Sequence, residues 1–122
     1  MKKLAVIATI TTLGFGSAPG EEIAGTGVGN HSCAQFAKFY RSNPSPTVVE
    51  LTFFSWAQGF MTGWNVGLSD QKGFKIDLSA MKMEEQKKYL RDYCDKHPLK
   101  NYMDGVVDLM RNIKSLNVKN SN

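Results

Sequence analysis

Two histidines and two cysteines are all the imidazoles and thiols this 122-residue chain possesses. That scarcity removes most enzyme designs at the outset. Neither His31 nor His97 sits in a nucleophile-elbow or related signature, so no serine–histidine–acid set can be assembled from motifs. Carboxylates such as Asp92 and Asp95, or Asp104 and Asp108, read as outward-facing helix residues and make no case for paired acid–base catalysis. No catalytic residue and no cofactor are assigned, and the chain is read as a non-enzyme.

Charge of one sign is equally sparse in runs. Fifteen Lys and Arg stand against eleven Asp and Glu, a formal +4. Lys82, Glu84, Glu85, Lys87 and Lys88 mix signs as a solvated surface does, and a phosphate-tracking stripe is absent. Nucleic acid is therefore excluded as the expected partner. No apolar run reaches the ~20 residues a membrane span requires. The longest, Leu4 to Phe15, follows Lys2 and Lys3 and precedes Gly16-Ser17-Ala18, the layout of an export signal over residues 1–18. Pro19 is unfavourable directly after a cut, which leaves the exact bond open; a buried N-terminal element over 4–15 is the other reading. Cleavage near Ala18 would remove two lysines and no acid, leaving +2 and no transmembrane span. The expected location is the periplasm, or the extracellular space.

Behind an export signal, an even pair of cysteines implies a disulfide, here Cys33 with Cys94. Closing a loop between positions 61 apart should stabilise the fold by about 4 kcal/mol. Two other uses of these residues stay open. Cys33 could act as a thiol beside His31, and His31, Cys33, Cys94 and His97 together have the composition of a tetrahedral zinc site.

Residues 19–30, with Gly20, Gly25, Gly27 and Gly29, read as a flexible leader, and 31–117 as the folded domain ahead of a fraying tail at 118–122. Ser32 and Gln35 have capping-box spacing and open a first helix carrying Cys33, Phe36, Ala37 and Tyr40 inward. Asn43-Pro44-Ser45-Pro46 ends it. Thr47 and Glu50 repeat the box and open the longest helix, to about Leu68. Asp70 to Leu78 is a polar connection in which Phe74, Ile76 and Leu78 alternate like a short extended piece. A third helix from about Ser79 turns Met83, Gln86, Leu90, Tyr93 and Cys94 inward. Pro98 then stands as the first residue of a fourth, with Tyr102, Val106, Leu109, Ile113 and Leu116 on its stripe. The fold class is all-α, a small four-helix orthogonal or bundle-like domain with one disulfide. The bridge would join the start of the first helix to the end of the third.

The long helix carries the residues of most interest. Phe53, Trp56, Phe60 and Trp64 form an apolar ridge that reads as core, with a ligand pocket as the alternative. Phe54 lies off that ridge and is the aromatic expected to meet a partner. Gly59, Gly63 and Gly67 are spaced four apart and cost about 1 kcal/mol each relative to alanine. Close approach by another helix or a bulky aromatic is the expected compensation, with a kink at Gly59 or Gly63 as the alternative.

Three segments resemble known proteins. Ser32-Cys33-Ala34-Gln35-Phe36, Trp56-Ala57-Gln58-Gly59-Phe60-Met61-Thr62-Gly63 and Tyr93-Cys94-Asp95-Lys96-His97-Pro98-Leu99 resemble the HdeA/HdeB group of periplasmic acid-stress proteins and its uncharacterised proteobacterial relatives. The central block and the stretch from Tyr89-Leu90 to His97-Pro98 also look like immunity proteins of the Tai and Rap type. The resemblance implies a periplasmic protein-binding or stress-related helical protein, chaperone-like in acid, whose partner is a client protein or another copy of the chain. Its second form implies neutralisation of a secreted toxin. A structural or assembly role in the cell envelope is the third reading. Against the acid chaperones, this chain has a longer separation between cysteines and a glycine-rich central helix.

Overall fold

The computed structural model describes residues 27–68, 70–71 and 75–120. The expected export signal at 1–18, the expected leader up to residue 26, Phe74 and the last two residues lie outside them. Among the described residues there are four α-helices: α1 Cys33–Ser42, α2 Pro46–Gly67, α3 Met83–Lys96 and α4 Tyr102–Asn120. Two 3₁₀ turns, Val28–Asn30 and Leu78–Ala80, complete the order. Helix α1 packs on both α2 and α3, α3 runs along α4, and α2 closes against α4. The architecture is the small all-α domain that the apolar periodicity indicates.

Local chemistry sets each boundary. The Ser32 hydroxyl accepts from the Gln35 amide at 3.1 Å, and the Gln35 side chain accepts from the Ser32 amide at 2.9 Å, so the expected capping box is present. Helix α2 does not begin with the second box. Pro46 occupies its first turn, where the fixed φ is already helical and the missing N–H is not needed. Glu50 is thereby released from capping and pairs with Arg91 of α3. The expected start of α3 near Ser79 is also displaced. Asp77 accepts from the Ser79 amide at 3.0 Å and folds Leu78–Ala80 into a separate turn. The Glu85 carboxylate then accepts from the Lys82 amide at 3.0 Å, and α3 starts at Met83. Met83 is consequently exposed rather than inward.

Pro98 does not open α4. The segment Pro98–Lys100 is a turn whose carbonyls are used elsewhere: Pro98 accepts from the Ala34 amide at 3.1 Å and Lys100 from the Cys33 amide at 2.7 Å. These amides belong to the first turn of α1 and have no partner within that helix. The Tyr102 amide donates to the His31 carbonyl at 2.9 Å, and Asp104 accepts from the Asn101 amide at 2.9 Å, which places the start of α4 at Tyr102. Had α4 begun at Pro98, its carbonyls would have been drawn into helical bonds and α1 would have lost its anchors.

The Cys33–Cys94 disulfide lies beside this junction, with Cα atoms 4.6 Å apart, and joins the first turn of α1 to the last of α3 as expected. Around it the core is aromatic. Phe36, Phe53 and Tyr102 meet pairwise with ring centroids 4.8 to 5.0 Å apart. Ala57 and Met61 of α2, Leu90 of α3, and Val106, Leu109 and Ile113 of α4 complete it.

Two segments are more ordered than their composition suggests. Gly27–Asn30 is not leader: Gly29 is buried, and the Trp56 ring lies where its Cβ would stand, at 2.1 Å. The tail expected to fray from residue 118 continues the helix to Asn120. Of the alternating piece, Leu78 belongs to the 3₁₀ turn, and Ile76 before it is held by a side chain. The Asn65 amide donates to the Ile76 carbonyl at 2.8 Å and accepts from the Ile76 amide at 3.0 Å, as an adjacent strand would. Gln86, buried, donates to the carbonyls of Leu78 and Met81 and fixes the other end of the connection.

One buried and one partly buried phenol make the fold sensitive to alkali. Burial pushes the Tyr102 hydroxyl well above its ordinary value, and burial reinforced by Asp108 pushes Tyr89 up to about 12. A group with a raised folded value contributes stability that is complete below its unfolded value near 10 and declines as pH rises through the folded value. Urea midpoints should therefore fall above pH 10, and Tyr89→Phe should flatten that fall. A midpoint independent of pH from 9 to 12 would contradict the assignment.

Candidate protein-binding face

The aromatic ridge of α2 divides between core and surface. Phe53 is core, as expected. Phe54 is core as well, only 2 % exposed, with Lys87 above its ring at 5.7 Å. The expectation that Phe54 meets a partner is thus corrected. The buried arc runs through Phe53, Phe54, Ala57 and Met61, and the largest aromatics flank it. Trp56 and Phe60 stack with centroids 5.4 Å apart and are half-buried. Trp64, at 44 % exposure, stands at the margin.

The glycines are placed differently from the expectation. A Cβ added at Gly59, Gly63 or Gly67 meets nothing within 4 Å among the described residues. No helix packs into this stripe there, and α2 runs through it without interruption. Close approach is used at two other glycines. Gly29 admits Trp56, and Gly105 lets the Tyr93 ring lie 2.9 Å from the position of a Cβ, bringing α3 against α4.

The side of α2 that carries the glycines also holds Val48, Leu51 and Ser55 towards its start and Thr62 and Val66 towards its end, all exposed. Val66 is 68 % accessible. From Leu51 to Ser69 the sequence has no Asp, Glu, Lys, Arg or His. An amphipathic surface helix usually carries charge on its outward side, whereas this side of α2 mixes exposed apolar residues with glycine and the neutral Ser55 and Thr62. The face is therefore neutral, smooth and low, bordered by Val66 and by the Trp56–Phe60 stack. Two apolar grooves border the helix. Phe39, Val48, Val49 and Phe53 line one of about 490 Å³ at its start, and Met61, Leu78, Met81 and Met83 line one of about 500 Å³ beside α3. The glycine spacing marks this row in the sequence, and a second signal beside it is the uncharged length, greater than one buried arc needs. No helix among the described residues is long and apolar enough to cross a membrane.

The alternative chemistry at the cysteines is not supported by their surroundings. Both sulfurs are consumed in the bridge, so neither a thiol nor a pair of thiolate ligands remains. His31 packs edge-on against Phe39 at 5.5 Å and also meets Phe53, while His97 lies on the Tyr93 ring at 4.5 Å. Elsewhere the polar contacts tie helices together: the Tyr89 hydroxyl donates to Asp108 at 2.7 Å, and Arg41 donates to Asp95 at 2.6 Å.

No family model, curated protein or solved structure matches the chain. The resemblance to periplasmic acid-stress proteins rests on the three quoted segments alone.

Glycine substitutions distinguish the two kinds of site. Gly29→Ala should destabilise the fold by about 1–3 kcal/mol because the new methyl displaces Trp56. Gly59→Ala and Gly63→Ala should each raise stability by up to ~1 kcal/mol, since a helix-favouring residue is gained without a clash. Urea unfolding measures all three; a loss of stability at Gly59 or Gly63 would show the face to be covered in the free protein.

Proposed function

We propose that the chain is a periplasmic, non-enzymatic protein-binding module that receives an apolar helical partner along the outward side of α2. The observation that carries this reading is the unpacked glycine stripe on an uncharged helix face. Glycine at interior helix positions costs about 1 kcal/mol relative to alanine, and nothing among the described residues uses the space it leaves. Spacing of four places Ser55, Gly59, Gly63 and Gly67 in one row, along which a second helix can approach closely. A partner helix of alternating large apolar residues would fill the row, with Trp64 and Val66 at its edges. The disulfide is compatible with an oxidising compartment, and the export-signal pattern and the quoted resemblance support the same location.

A photo-crosslinking residue in place of Val66 should trap a discrete partner in the periplasm, and the same residue in place of Lys88 should not. Gly63→Leu, which fills the row without touching the core, should reduce the adduct at least tenfold. Equal adducts at both positions, or an adduct indifferent to Gly63→Leu, would remove the basis for this face.

Release of the fold in acid is a second reading, favoured by the partly buried Glu50–Arg91 pair that joins α2 to α3. In acid the chain becomes strongly positive and self-repelling, a load that falls on the few ties joining α2 to α3. Small-angle scattering and an apolar dye, applied at pH 7 and pH 3 with the bridge intact, should register expansion and new apolar surface in acid. Unchanged dimensions and dye response would reject acid opening and leave the neutral-pH face untouched.

A further inference from the structure

A third cleft lies apart from the glycine row, between the C-terminal half of α2 and the middle of α4. Its volume is about 220 Å³, and its lining is Trp64, Ile76, Val107, Met110, Arg111 and Lys114. The apolar members form the walls: Ile76 and Met110 are nearly fully buried, and the indole of Trp64 is half-exposed. Ile76 is held in place by the double hydrogen bond from Asn65, so this wall is built into the fold. The polar members are both cations, one turn apart on α4. Among the described residues, no acidic side chain lines the cleft. Asp108, the carboxylate one turn before Arg111, accepts the Tyr89 hydroxyl. Arg41 and Arg91 each pair with a carboxylate, whereas Arg111 makes no ion pair among the described residues.

We propose that this cleft binds a small amphiphilic monocarboxylate, its apolar body between Trp64, Ile76 and Met110 and its carboxylate on Arg111. The volume equals that of about seven waters at ~30 Å³ each, which suits a ligand of roughly ten non-hydrogen atoms. The guanidinium presents a planar fork matched to a carboxylate, and Lys114 adds a second positive charge at the rim. An uncharged ligand of the same size would leave the guanidinium without an anionic partner. A dianion would gain little more, because its second charge would face the apolar wall. This inference goes beyond the protein-binding reading; it shares Trp64 with the margin of that face but uses neither the glycine row nor a macromolecular partner.

Sodium octanoate, with ten non-hydrogen atoms, is the probe. Titrated at pH 7 into the exported chain with its bridge intact, it should give saturable shifts in the methyl resonances of Ile76, Val107 and Met110. Arg111→Gln, at an exposed position, should weaken binding at least tenfold without altering the melting curve. Octan-1-ol should bind at least tenfold more weakly than octanoate, and raised salt should weaken octanoate alone. Shifts that never saturate, equal affinity for the alcohol, or binding unaffected by Arg111→Gln would each overturn the proposal. Association with phosphatidylglycerol vesicles in the absence of octanoate binding would overturn it too, by showing a surface that reads lipid rather than a free acid.

Discussion

Everything in the fold converges on the first turn of α1. There the Cys33–Cys94 bridge fixes the helix to the end of α3, and the carbonyls of Pro98 and Lys100 accept the amides of Ala34 and Cys33. The covalent link and the backbone bonds act on the same few residues. The bridge brings the α3–α4 turn to the N-terminus of α1, and that turn supplies acceptors the helix lacks. The exchange also runs the other way, because the His31 carbonyl receives the Tyr102 amide and sets the start of α4. Three helices are positioned by one junction, and Phe36, Phe53 and Tyr102 pack against one another beside it.

Helix α2 enters this arrangement by packing rather than by covalent or backbone ties. Phe53, Phe54, Ala57 and Met61 fill the core, and the Glu50–Arg91 pair orients the helix against α3. Such burial needs only an arc of the helix circumference, which leaves the opposite side free to be polar. That side is uncharged all the same. In α3, by contrast, Lys88 and Asp92 make an exposed pair within the helix, the ordinary condition of a solvated face, and Glu84 holds Lys87 where it covers Phe54. The difference between α2 and α3 lies in their outward sides, and there the proposed partner binds.

Much of this was legible in the residues. The Ser32–Gln35 box and the stripe of α4 follow from local rules that act within a turn or two, and the cysteine pairing follows from there being only two cysteines to join. What escaped depends on contacts distant in sequence. Pro98 has the attributes of a helix opener, yet its carbonyl is claimed by Ala34, more than sixty positions earlier. Asn65 gives no sequence signal for its hold on Ile76, since an asparagine inside an uncharged helix looks like any polar surface residue. A ridge through the largest side chains puts Phe54 outward, but the helix turns the arc centred near Ala57 inward, and Trp64 falls at its margin. Gly29 belonged to a segment whose composition reads as flexible, and only the Trp56 ring shows why glycine is required there.

The magnitudes connect the junction to the face. Gly59 and Gly63 together lower helix stability by about 2 kcal/mol relative to alanine, a substantial share of the 5–15 kcal/mol typical of a domain. A bridge closing a loop of this length contributes about 4 kcal/mol in the opposite direction. The staple at one end of the molecule therefore offsets the unpacked row on α2 with some margin. Alanine at the same positions would yield a more stable monomer and a raised surface. Glycine at these positions fits the general conflict between stability and a surface open to close approach. In this small domain the disulfide and the glycine row are two halves of one compromise: the first supplies the rigidity that the second gives up.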